Sequence, residues 1–184
     1  MKNIAIIAAI MTALMLIPAV GAIPAPKEWT LRVDAQADDG YTYCLLGEKK
    51  GASDSVDQFD IPHPPFFPPG RAFIFMSEPS FPMPYNNVWM EWKHFPGTQK
   101  EFNMTTFYYP DDDLGAYVIL TWQKSLLQPS EYRYVYLTLD GTTLLDMKKT
   151  GTYTFWSEPY AFTHFKVICV YWFSPLTKIG TRWN

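Results

Sequence analysis

Asp54, Asp57 and Asp60 stand three residues apart, with Ser53 and Ser55 beside them, inside the stretch Gly51–Gly70. Carboxylates on an irregular loop suit calcium, which collects roughly six to eight oxygens from side chains, carbonyls and water. Calcium is therefore the one cofactor the sequence suggests, with these three aspartates as its ligands. The spacing is not the Asp-x-Asp-x-Asp-Gly of an EF-hand, and no glutamate stands where one would close it. The competing role is turn capping, in which Asp oxygens accept nearby backbone N–H groups. Asp111, Asp112 and Asp113 form a second acidic turn that joins the same ion only if the fold brings the two loops together.

Catalytic chemistry finds little support. His63, His94 and His164 are widely separated, and no His-Glu-x-x-His pair, Gly-x-Ser-x-Gly elbow or glycine-rich phosphate loop occurs. The reading is of a chain with no catalytic residues, not an enzyme. Aromatics offer a better route to a ligand. Trp29, Trp92 and Trp122 fall on inward strand positions and read as core, whereas Trp89, Trp156 and Tyr160 are left as candidates to stack on a sugar face. Asn103-Met-Thr105 is a glycosylation acceptor pattern.

The address comes from the N-terminus. Lys2, an apolar run from Ile4 to Ile17, Pro18 and the small residues Val20-Gly21-Ala22 describe a secretory signal peptide over 1–22. Its removal leaves 162 of the 184 residues, enough for one domain, and loss of Lys2 takes the net charge from −3 to −4. That balance, with basic residues scattered, gives no reason to expect a nucleic-acid partner. No apolar stretch of the mature chain is long enough for a transmembrane helix. Cys44 and Cys169, an even count in an exported chain, suggest a disulfide tying the last strand to the N-terminal hairpin. Such a long closed loop would contribute ~4–5 kcal/mol.

All 32 aromatics lie beyond residue 22, and with the abundant Thr, Val, Pro and Gly they favour strands. Trp29–Gln36 alternates apolar and polar strictly, Asp39-Gly40 turns it, and Tyr41–Leu46 returns. Further strands are predicted over 72–76, 88–94, 101–108, 116–122, 133–139, 143–147, 152–155 and 164–173, with Asp140-Gly141 as a second hairpin turn. The largely apolar 116–122 reads as a central strand buried on both faces. Five prolines between residues 62 and 69 make Gly51–Gly70 a stiff connecting loop. The expected fold is all-β, an antiparallel sandwich of about ten short strands. A leader occupies 23–28, the domain 29–173, and a C-terminal tail 174–184.

Four motifs occur in order: Trp-x-Leu-x-Val at 29–33, Gly-Ala-Ser-Asp-x-x-Asp-x-x-Asp-x-Pro-x-Pro-Pro at 51–65, Leu-Thr-Trp at 120–122, and Leu-x-Leu-Asp-Gly with Leu-x-Asp-Met within 137–147. Together they resemble a poorly characterised extracellular β-sandwich domain of secreted and surface proteins in bacteria and archaea, similar to fibronectin-III and immunoglobulin-like modules. The resemblance spans Trp29–Trp172 and implies no catalytic activity and no particular ligand. Cys44, Cys169 and the Lys49-Lys50 pair depart from it. The function expected is an exported, non-catalytic module with a structural or interaction role outside the cell or at its surface. Its partners would be other extracellular proteins or glycans. The alternatives are a carbohydrate-binding module using exposed aromatics, and a surface or filament subunit that assembles with its own copies through open strand edges.

Overall fold

Strict alternation starts the fold. In the computed structural model, which describes residues 27–37, 40–65, 69–97 and 99–171, Trp29, Leu31, Val33, Ala35 and Ala37 of β1 (Trp29–Ala37) all point into the core. β2 (Gly40–Lys49) pairs back antiparallel, placing Val33 opposite Cys44. The stretches predicted as signal peptide (1–22) and C-terminal tail (174–184) lie outside the described residues. β3 (Ile61–Pro62), β4 (Arg71–Ser77), β5 (Asn87–His94), β6 (Gln99–Tyr109) and β7 (Ala116–Trp122) follow. A short 3₁₀ turn (Lys124–Leu127) precedes β8 (Tyr132–Leu139), β9 (Thr142–Asp146), β10 (Thr152–Ser157) and β11 (Phe162–Tyr171). Among the described residues no helix is long and apolar enough to cross a membrane.

The chain is all-β, as expected, but it does not form the two separate sheets of the predicted sandwich. Its strands join one curled sheet, a half-barrel, in the order β10-β7-β1-β2-β5-β4-β6-β11-β8-β9, with β3 alongside β5. The reason lies in the middle of the order. β5 pairs parallel to β2 and antiparallel to β4, but it meets β4 only at Met76 and Ser77. Beyond that point Thr42 bridges β2 to β4 directly: its hydroxyl donates to Ala72 O (2.8 Å) and accepts from Ile74 N–H (3.1 Å). Hydrogen bonding therefore continues across the point where a sandwich would break.

Curling brings the halves face to face over a common core. Trp29 on β1 meets the edges of Phe102 on β6 and Tyr132 on β8 at centroid distances of 6.1 and 6.3 Å. Phe155 on β10 packs edge-on against Phe165 on β11 at 5.1 Å. The indole N–H of Trp122 donates to Met147 O (3.0 Å), fixing the β9–β10 connection over one end of the core. The Asp140-Gly141 hairpin turn forms as predicted, both residues having positive φ (49° and 76°), as a type I′ turn needs.

Two expectations fail here. β7 is buried on one face, not two: Tyr117 is 65% exposed and Ile119 lies outward beside it, because β7 sits one strand from the sheet edge and none of the described residues covers its outer side. The Cys44–Cys169 disulfide is absent. Both cysteines are free and buried, and β5, β4 and β6 separate their strands in the sheet order. Each occupies an ordinary inward strand position, Cys44 opposite Val33 and Cys169 opposite Val135. Burial pushes both thiols well above their usual range, so neither ionises readily. Native protein should accordingly show its fully reduced mass and resist a thiol reagent, with both cysteines reacting once urea unfolds it. A mass two hydrogens lighter would contradict this.

Candidate functional site

The aspartate series is used by the loop itself. Asp57 accepts the N–H groups of Ser53 (2.6 Å) and Phe59 (2.7 Å), and Asp60 accepts that of Asp57 (3.0 Å). These are capping contacts that shape a proline-stiffened turn. Asp54 leaves the loop: both its oxygens bind Lys100 Nζ (2.6 and 2.7 Å), and Oδ1 also accepts the His94 N–H (2.9 Å). Burial raises its carboxyl, but the Lys100 hydrogen bond and the His94 N–H together hold it below its ordinary value. Among the described residues no three His, Cys, Asp or Glu converge as metal ligands. The loop also contains β3, a piece of regular structure that its prolines had argued against.

Beneath the loop lies a buried polar cluster that the sequence did not reveal. Glu48, 1% exposed, accepts from the Trp29 indole (2.7 Å) and the Tyr132 hydroxyl (2.8 Å). Burial, aided by Glu131, raises its carboxyl to about 7 against the pull of both hydrogen bonds and Lys100. On β5, Glu91 is equally buried and faces Lys93 Nζ at 2.8 Å. Burial with Glu78 and Asp60 nearby raises it to about 7 as well. Carboxyls near neutrality are typical of acid–base sites, but such sites must also reach a substrate. Both of these are sealed inside the sheet.

The outer face of β11 is exposed along Phe162, His164 and Lys166, whereas on β4 Phe73 and Phe75 are buried beneath His63. Register places Phe107 opposite both Phe73 and Phe162, and Thr105 opposite Phe75 and His164. The result is a row of rings. Phe162 stacks on Phe107 at 4.5 Å and 22°, and its ring plane is nearly parallel to that of His164 at 6.4 Å and 6°. Phe107 continues to Tyr109, which meets Tyr160 at 5.8 Å. Phe162 is 52% exposed. At the His164 end the row opens into a cleft of about 500 Å³ lined by Ser77, Asn103, Thr105, Thr138, Asp140, His164 and Lys166, among others. Thr105 Oγ1 lies 3.0 Å from His164 Nδ1, which fixes the imidazole. Lys166 pairs with Glu101 at 3.0 Å.

The stacking residues named from sequence are distributed unevenly around this face. Tyr160, 49% exposed, ends the aromatic row, its hydroxyl bonded to Asp113, which raises the phenol. Trp156, 50% exposed, lies on β10 and crosses Tyr117 at 77°, so the two do not form a flat platform. Trp89 is half-buried: its indole donates to Tyr43 O, and its ring packs on Tyr43 at 4.9 Å. Asn103 donates to Glu78 Oε1 (3.2 Å), while the hydroxyl of its acceptor triplet, Thr105, is buried against His164. Phe162 and His164 were missed, although their i, i+2 spacing on a strand opposite Thr105 and Phe107 is the signal that would have found them.

Compared with family models, with curated proteins and with solved structures, the chain matches none.

Proposed function

We propose that this chain is an exported, non-catalytic binding module, and that its ligand face is the outer cleft of β6 and β11 with its aromatic border. Its ligand is a saccharide. The observation that carries the reading is the placement of the stacked, exposed Phe162 and His164 beside a largely apolar cleft that carries the polar groups of Asn103, Thr105, Thr138 and Lys166. Pyranose rings present a flat C–H face to an aromatic ring and hydroxyls around their edge. A few placed polar groups beside an apolar surface are what small-ligand clefts use to orient such a molecule. The non-catalytic part rests on the burial of Glu48 and Glu91, each 1% exposed. Export rests on the signal-like N-terminus and on the extracellular resemblance.

A glycan array followed by calorimetric titration tests the reading on the mature chain. The expected result is a binder on the array whose affinity falls at least tenfold in Phe162→Ala and is unchanged in Trp156→Ala. An array with no binder sinks the saccharide reading, as does a binder that is indifferent to Phe162.

A further inference from the structure

We propose that β10 is a docking edge for a second copy of this chain, the two β10 strands pairing antiparallel about Thr154 to make a two-fold dimer. The half-barrel has two ends, and they are built differently. Among the described residues β9 pairs only with β8, and a register shift at Leu137/Thr138 interrupts that ladder. β9 ends in Asp146, which pairs with Lys149. A bulge and charges are how sheets blunt an edge against further pairing. β10 has neither. Its sequence Thr-Tyr-Thr-Phe-Trp-Ser carries no charge and no proline, and it follows β7 in unbroken register from Thr152 to Ser157.

The hydrogen-bonding phase shows what the edge offers. Trp122 N–H donates to Gly151 O (3.0 Å), so by the antiparallel alternation residues 153 and 155 bond to β7. Thr152, Thr154 and Trp156 therefore turn their N–H and C=O groups to the side on which, among the described residues, β10 has no neighbouring strand. An extended strand is the chemistry that satisfies such a row. β10 is its own complement. Centred on Thr154, an antiparallel pair sets Thr154 against its copy and Thr152 against Trp156 on the outer face. It sets Tyr153 against Phe155 on the inner face, where both are only partly buried within one copy. Every opposed pair stays on one face, and no like charges meet. A two-fold contact of this kind closes at the dimer, whereas joining β10 to β9 would propagate into filaments. The edge is separate from the outer cleft, so the proposal stands whether or not that cleft binds a sugar.

Sedimentation of the mature chain over a concentration series, with Thr154→Lys and Thr154→Pro alongside, tests it. Lysine puts like charges face to face at the two-fold, and proline removes an N–H that the fold does not use. Wild type should form a dimer and no larger species, both variants should weaken it at least tenfold, and their melting temperatures should stay close to wild type. If proline unfolds the chain, lysine alone decides. A wild type monomeric throughout, a ladder of filaments, or a dimer untouched by a folded Thr154→Lys overturns the proposal.

Discussion

Replacing Gly47 by alanine should cost about 3 kcal/mol or more of stability, enough to lower the melting temperature by roughly 10 °C in a domain of this size. Gly47 lies mid-strand in β2, between Thr30 of β1 and Trp92 of β5. A Cβ there would stand 2.1 Å from the Trp29 carbonyl oxygen and 2.9 Å from Thr30 Cα. Both obstacles are backbone, so no rotamer change relieves them, and β1 must move away from β2. Trp29 and Glu48 flank the contact, and their 2.7 Å hydrogen bond would be strained with it. Gly141→Ala is the control: nothing lies within 4 Å of its Cβ, and only its positive φ is penalised. Thermal melts of the two variants should differ severalfold in effect. Equal effects would mean that the β1–β2 approach is looser than the structure has it.

Stability should also fall as pH rises from 5 to 8. A carboxyl raised on folding binds its proton more tightly in the native state than in the unfolded chain. Its contribution is fully present below the ordinary carboxyl pKa and is lost as pH rises through the native value. Glu48 and Glu91 both have native values of about 7, so the window is roughly pH 4.5–7.5, with a loss on the order of 2 kcal/mol for each carboxyl. His63 acts the other way. Burial lowers it, so acidification below its unfolded value favours the unfolded chain. Glu48→Gln separates the contributions. Its carbonyl can accept from the Trp29 indole, and its amide can donate to the Tyr132 oxygen if that hydroxyl turns. The variant should fold and show a visibly flatter pH slope, leaving Glu91 to supply the remainder. Melts across pH 5–8 that are level or rising in wild type would contradict the assignment of both protons.

Local structure was legible in the sequence where a short-range rule governs it. The β1 alternation, the Asp140-Gly141 hairpin and the inward Trp29 and Trp122 follow from period-two patterning and turn chemistry. What escaped depends on which distant strands meet. No local pattern says that β2 will pair parallel to β5, or that Thr42 will carry the ladder on to β4, and these two contacts turn a sandwich into one sheet. The disulfide was inferred from compartment and an even count, but three intervening strands hold the cysteines apart. The candidate site was lost by two residues. A last strand begun at His164 leaves Phe162 in a turn, whereas pairing with Phe107 extends β11 back to Phe162 and makes it the centre of the aromatic row. Ala116–Trp122 misled for a related reason: Tyr117 and Ile119 look like core, and only the sheet order places them one strand from an edge that none of the described residues covers.

The central claim is that ligand binding occupies the outer face of β6 and β11, and amide chemical shifts of the labelled mature chain read that directly. Adding a saccharide selected on the array should move the signals of Thr105, Phe107, Phe162, His164 and Lys166 in a saturable way, leaving Tyr117 and Trp89 still. Shifts centred on Trp89 or on the Tyr117–Trp156 corner, with β6 and β11 unmoved, would contradict it.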